Sequence, residues 1–321
     1  MGNKIFRGKI MIAVIGENIV DFLPHTDGSY RPHLGGSPFN VAIGIGKQAV
    51  ACSYLSTLSS DRFGDAFLHY LTENNVIYGA NFRSNNPSSI AIVSLDKLGQ
   101  PHYSIYREKV ADRDTSAEQL KQSIPIGTRI LHTGSLALEP NDLIRLLDVL
   151  EFSKIRGIKI SVDINVRINF VSDKTAYIDG IRKIIPLCDY LKASDEDLSL
   201  LYPDVNPTVA ANHLAQQMRN GIFAYTEGAK GARIISPSVD LALPVVTPAV
   251  FGDTVGAGDT FYATLLAYLW EFNLDKLPAS ELESASLMSA LKHAVMAASI
   301  NVSRHGCAPP TRQELQMALN S

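Results

Sequence analysis

Four short apolar runs, at residues 129–133, 158–163, 190–192 and 222–226, alternate with three helix-patterned stretches at residues 141–152, 175–185 and 208–218. Repeated β-α units with apolar strands settle into a parallel sheet covered by helices on both faces. Residues 10–15, ending at Gly16, read as one more buried strand, and residues 54–58 as another, followed by a helix at 63–71. Shorter strands at residues 233–246 fit the sheet's edge, and residues 287–303 a long helix whose Ala294, Ala297 and Ala298 permit close approach.

At 321 residues the chain can bury a large core, and the expectation is a single α/β domain over 1–321. With 29 basic and 32 acidic residues and no basic block, neither nucleic acid nor an anionic membrane is the expected partner. Cys52, Cys188 and Cys307 are far apart without a CxxC pair, which suits reduced thiols in the cytoplasm. The longest apolar run, 261–270, is too short to span a bilayer, and the polar, basic residues 1–9 lack a secretion signal's apolar core and read as a loose arm.

Function concentrates in residues 250–270. Gly252, Gly256 and Gly258 precede a helix in which Phe261, Leu265 and Leu269 form one apolar line and Tyr262, Leu266 and Trp270 the next. The first amides of a helix lack intrahelical partners and sit at the positive end of its dipole, so glycines there let an anion reach bare backbone. Asp259 follows the last glycine, where a carboxylate can take a proton from a hydroxyl that attacks phosphorus. The same pattern also describes an ordinary turn with an acid favoured by the dipole.

Past the first strand come Glu17 and Asp21, where open α/β sheets bind ligands, although Asp21 also fits a loop acid. Gly35 and Gly36 lead into a helix with Ser37 as expected cap and Pro38 at the first helical position. Gly44, Gly46 and Ala49 mimic a dinucleotide fingerprint but fall inside that helix, so they read as packing. Residues 88–95 and 102–106 flank Asp96-Lys97-Leu98-Gly99-Gln100, a hairpin signal. With the irregular stretch near 20–34 it suggests a small β lid, formed by about 17–34 and 88–112, that would exclude water from phosphoryl transfer.

Asp253-Thr254-Val255-Gly256-Ala257-Gly258-Asp259-Thr260-Phe261 resembles the carboxy-terminal signature of the ribokinase family of carbohydrate kinases, and Gly35-Gly36 with Asn40 and Ala42 its amino-terminal one. The similarity runs from Ile10 to Leu319. It implies a ribokinase-like three-layer α/β fold, with a central mainly parallel sheet and a small β lid. Asp259 would be the base, with the amides of Gly256, Ala257 and Gly258 the anion hole. Asp21, Gly35, Gly36 and Asn40 would contact sugar hydroxyls. Thr226, Gly228 and Gly231 would hold nucleotide phosphates, together with Lys192 and Ser194. Asn301 would close the adenine pocket, and Asp253, Arg304 and Gly306 would surround a monovalent cation such as potassium; helix capping and surface charge are the other reading of Asn301 and Arg304.

One departure stands out. Where the family has Asn-x-x-Glu to organise the water shell of magnesium, this chain has Ser194-Asp195-Glu196-Asp197, leaving open which of Asp195, Glu196 and Asp197 acts. The implied activity is transfer of the γ-phosphate of ATP to a primary hydroxyl of a monosaccharide. Gly16-Glu17 with Asp21, Tyr106-Arg107 with Ala111-Asp112, and Asp163-Ile164-Asn165-Val166-Arg167 resemble fructokinases, which would make fructose 6-phosphate. Arg107 and Arg167 would then face the sugar. Paired arginines would also suit a sugar acid, as in a 2-keto-3-deoxygluconate kinase, or could be structural partners of Asp112 and Asp163. Aminoimidazole riboside kinase and ribokinase are further readings, as is a sugar- or nucleotide-binding regulator of the same fold without chemistry. The family suggests a homodimer formed through the lid.

Overall fold

The structure, a computed structural model, describes residues 11–95, 101–218 and 220–321. The expected amino-terminal arm and hairpin tip at 96–100 lie outside these described residues. In chain order the elements are β1 (Met11–Val14), β2 (Ile19–Pro24), β3 (Tyr30–Gly35), α1 (Ser37–Lys47), β4 (Cys52–Tyr54), α2 (Arg62–Glu73), β5 (Val76–Tyr78), β6 (Ser89–Leu95) and β7 (Pro101–Tyr106). Then follow α3 (Ala117–Ser123), β8 (Thr128–Gly134), α4 (Pro140–Ile155), β9 (Lys159–Asp163), α5 (Lys174–Ile184), β10 (Tyr190–Ser194), α6 (Asp195–Leu201) and α7 (Pro207–Gln217). The last are β11 (Ile222–Thr226), β12 (Ala232–Ile235), β13 (Asp240–Leu243), α8 (Ala257–Glu271), α9 (Ser284–Val302) and α10 (Arg312–Asn320).

Nine strands form one sheet in the order β13-β12-β11-β10-β9-β8-β1-β4-β5, parallel except at β11-β12 and β12-β13. The alternation of β1 shows why the strands are apolar throughout: Ile12 and Val14 enter the core beneath α1, α2, α8 and α9, whereas Ala13 enters the core beneath α3 to α7. Two strand readings shift. The expected strand at 54–58 is Cys52–Tyr54, which pairs with β1 over its three residues, and β5 is an addition too short for a readable alternation. The fingerprint-like glycines of α1 are packing positions: a Cβ on Gly44 would lie 2.6 Å from Ala263 Cβ on α8, and one on Gly46 2.1 Å from the Asn74 carbonyl oxygen.

A second sheet, in the order β3-β2-β6-β7, rises from the carboxyl end of β1. Ile19 and Ala91 of this sheet pack on Leu136, with Ile105 and Phe170 at their side. Its strands join the body beside Glu17, Ser88 and Arg107, and its apolar face meets the segments after β8 and β9 at Leu136 and Phe170.

Candidate active site

α8 starts where the sheet's carboxyl edge meets it, and Gly256 makes the start possible. Its φ of +72° is a left-handed conformation, and a Cβ there would lie 2.3 Å from Cys307 Sγ. The Ala257 amide turns back to the Thr254 carbonyl at 3.2 Å, while the amides of Gly256 and Gly258 have no backbone acceptor among the described residues. Of the three amides expected to cradle an anion, two are therefore open. Asn301 sustains this turn from α9. Its Nδ2 donates to the Val255 carbonyl at 2.8 Å, and its Oδ1 accepts from Thr260 Oγ1 at 3.1 Å and the Ala308 amide at 2.8 Å. With no exposed surface, Asn301 is a structural tie, which corrects its expected place in a nucleotide pocket.

Asp253 draws two loops together, accepting from the Val255 amide at 2.9 Å and the Gly306 amide at 2.8 Å. The Arg304 carbonyl accepts from the Asp253 amide at 3.1 Å, and the Arg304 guanidinium is spent on the Ala308 carbonyl and Glu314. Along the neighbouring edge, Thr226 ends β11 and Gly228, at φ +51°, has open space around it. Gly231 differs: at φ +128° it lies against the Leu243 carbonyl, where a Cβ would be 2.1 Å away, so it shapes the loop.

The carboxylate of Asp259 is nearly buried at 8% exposure. Ser37 Oγ donates to Oδ1 at 2.7 Å and Asn40 Nδ2 to Oδ2 at 2.8 Å, which fixes the acid's direction from α1. Ser37 was expected to cap α1. Gly36 holds the cap position instead at φ +106°, with no space for a side chain because a Cβ would lie 2.4 Å from the Glu17 carbonyl oxygen. Nothing local in the sequence marks Ser37 as a partner of Asp259, since 222 residues separate them.

Lys192 is 4% exposed, and its Nζ donates to both oxygens of Asp163 at 2.9 Å. Burial disfavours that ammonium, but the carboxylates around it, Asp163 first and then Asp197 and Asp259, together outweigh burial and raise its pKa, so the lysine stays charged. A Cβ on Gly258 would sit 3.3 Å from Nζ, which places the cation directly beneath the open amides.

On the acceptor side, Asp21 lies on β2, and a Cβ on Gly35 would lie 2.7 Å from its Oδ2. Burial pushes the Asp21 carboxyl up to about 6, against the pull of Arg167. Arg167 is exposed and acts on Asp21 rather than on Asp163, which Lys192 holds. Arg107 does not face an open sugar site. It is 7% exposed and pairs with Asp112 at 2.8 Å, Asp142 at 3.4 Å and Glu139 at 3.5 Å, tying the end of β7 to the start of α4. The charged cluster beneath the small sheet includes Glu17, 1% exposed, whose carboxyl burial pushes up while Arg107 pulls it down.

Of the three acids after Ser194, Asp195 is half-buried and Glu196 exposed at the start of α6, while Asp197 is 6% exposed and occupied by hydrogen bonds. No group of three or more His, Cys, Asp or Glu able to hold a metal exists among the described residues.

Residues 9–314 match the family described as pfkB family carbohydrate kinase. A fructokinase of Rhizobium leguminosarum bv. trifolii is 31% identical over 268 residues, covering 82% of this chain and 81% of that protein. Among solved structures, a Xylella fastidiosa fructokinase with bound ATP superposes with a TM-score of 0.85 at 22% identity, covering 97% of this chain and 98% of that one. A Vibrio cholerae fructokinase double mutant, bound to fructose, ADP and potassium ion, gives 0.81 at 24% identity over 97% and 98% of the two chains. With a glycine turn presenting open amides beside an oriented carboxylate, and the family match spanning nearly the whole length, this chain belongs to the pfkB family of carbohydrate kinases.

Proposed function

We propose that this chain is an ATP-dependent fructokinase that transfers the γ-phosphate to a primary hydroxyl of fructose, forming fructose 6-phosphate. The observation that carries this reading is the Asp259 carboxylate, held by Ser37 and Asn40 beside the open amides of Gly256 and Gly258. A sugar hydroxyl at Asp259 is close to an acceptor for its proton, and the phosphoryl oxygens meet amides that need no reorganisation. Lys192 adds positive charge from below, and the small sheet acts as a lid that keeps water out. ATP lies along residues 226–231 and 253–258.

Magnesium, when bound, neutralises charge on the phosphates and leaving group. This site fits it through water and phosphate, magnesium's usual habit in kinases, with Asp195 and Glu196 left to hold its waters. Asp253 supplies the charge for a monovalent cation, and potassium is present in the Vibrio cholerae structure.

The acceptor side favours a neutral polyol. With Arg107 committed to Asp112, one arginine remains there, Arg167, and it stands against Asp21, which would repel a sugar carboxylate. The test is ADP release across fructose, ribose, 2-keto-3-deoxygluconate and aminoimidazole riboside, with magnesium and potassium each omitted in turn. Fructose should give the highest kcat/KM; no turnover with any sugar would leave a binding protein.

The pH dependence follows from Asp21. Its charged form must accept the sugar hydroxyls, so kcat/KM for the sugar should fall below pH 6, the region where the carboxyl protonates. Because the folded value lies above the ordinary 3.8, the ionised carboxylate costs stability above about pH 6, and that cost is relieved as pH falls. Asp21→Asn should weaken sugar binding and flatten the acidic limb of the profile; an unchanged limb would exclude Asp21 as its source.

A further inference from the structure

The acid at 197 is committed in a way its position in the sequence does not reveal. Ser194 and Asp197 form a reciprocal cap on α6: Asp197 Oδ2 accepts from the Ser194 amide and from Ser194 Oγ, both at 2.7 Å, and the Asp197 amide donates to Ser194 Oγ at 3.1 Å. A cap needs only that oxygen. The other, Oδ1, crosses to the loop after β9 and accepts from the Val166 amide at 2.7 Å. The flanking amides of this loop are also fixed. Ile164 donates to the Lys192 carbonyl at 2.9 Å, and Arg167 to Tyr177 Oη at 3.2 Å. Between them Asn165 turns the chain at φ +39°, in the left-handed region, where asparagine is better tolerated than most residues. Just beyond the pinned amide comes Arg167, exposed, whose positive charge favours the ionised form of Asp21 without a direct ion pair among the described contacts. Ser194 itself lies in register with Thr226 of β11, on the phosphate-loop side of the sheet.

We infer that Asp197 is a positioning residue for the acceptor side of the cleft: by holding the Val166 amide it fixes the loop that carries Arg167, and it is not the acid that organises magnesium. The inference rests on the reading of Asp21 and Arg167 as the sugar side. It also accounts for the shortened acid, whose carboxylate reaches its own cap and the neighbouring loop together.

The experiment uses the full chain with Asp197→Ala and the milder Asp197→Asn, which keeps one acceptor oxygen. Without ligands, hydrogen exchange at residues 164–170 should speed up about tenfold or more in Asp197→Ala, as expected for losing a charged acceptor. Fructose affinity, measured by calorimetry without nucleotide or magnesium, should weaken about tenfold, and less in Asp197→Asn. The magnesium concentration giving half-maximal ADP release should move less than about twofold, since no step assigned to the metal has changed.

Unchanged exchange at 164–170 would overturn the tie. Unchanged fructose affinity with a large rise in required magnesium would return Asp197 to the metal, and no change in either would reduce it to a cap. If Asp197→Ala does not fold, Asp197→Asn reports the same quantities. Wild-type protein that neither binds nor phosphorylates fructose would count against the fructokinase reading. The exchange result, with the affinity for whichever panel sugar the wild type does phosphorylate, would still decide the role of Asp197.

Discussion

Asp259→Asn should reduce kcat about 100- to 10,000-fold, the range a positioned general base contributes, while the sugar KM changes little. The substitution keeps the shape and removes the charge and the proton-accepting capacity. Its structural cost is small: with the new Nδ2 turned toward Ser37 Oγ, which reverses its role and accepts, the remaining oxygen still accepts from Asn40, so at most one bond weakens. Losing one such bond costs about 1 kcal/mol, which a domain of this size absorbs. The expected signature is thus normal folding by circular dichroism, near-normal fructose binding by calorimetry and almost no ADP release. Turnover within a few-fold of wild type would remove the base from Asp259 and leave the open amides of Gly256 and Gly258 without a neighbouring reaction.

The second large effect is on stability. Arg107→Met should cost about 3–5 kcal/mol, because it removes the shared cation of a cluster that contains Asp112, Glu139 and Asp142 and leaves acids buried without it. Arg113 reaches Glu139 and Asp142 at 3.2 Å, so those two keep a partner, whereas Asp112 keeps only the Ser89 hydroxyl among its described contacts. The deficit has a pH signature. Burial already pushes the carboxyls of Glu17 and Glu139 up, and without Arg107 the largest opposing pull on each is gone, only Arg113 still pulling on Glu139. Their cost is that of the charged form, so the loss of Tm should be greatest near neutral pH and shrink as pH falls toward 5. A wild-type Tm, or a deficit equal at pH 5 and pH 7.5, would show that the cluster does not hold the small sheet to the body. A selective loss of sugar affinity at full stability would restore Arg107 to the sugar site.

Much of the fold is legible because it depends on local chemistry. The runs at 129–133, 158–163 and 222–226 became central strands because apolar stretches of that length suit a sheet buried on both faces, and β12 and β13 took the edge, where strands can be short and antiparallel. β4 and β5 were displaced or absent from that reading because three residues carry no measurable period. In the site, Gly256 and Asp259 were visible because a left-handed turn entering a helix has its own residue signature. The sequence reads Ser37 as a cap, Asn301 as a nucleotide contact and Arg107 as a sugar contact, since each side chain can serve several kinds of partner and the sequence does not say which one comes within reach.

The residues alone therefore determined the alternating strands and helices, the glycine turn and the acid one step past it, all of which follow from backbone preference and periodicity within a few residues. Only the tertiary structure decided that α1 would orient Asp259, that Asn301 would brace the turn, that Arg107 would disappear into an ion cluster and that Asp197 would grip the Val166 amide. A buried polar group must take whatever partner packing brings within about 3 Å. That partner is fixed by how distant segments pack, not by their neighbours along the chain.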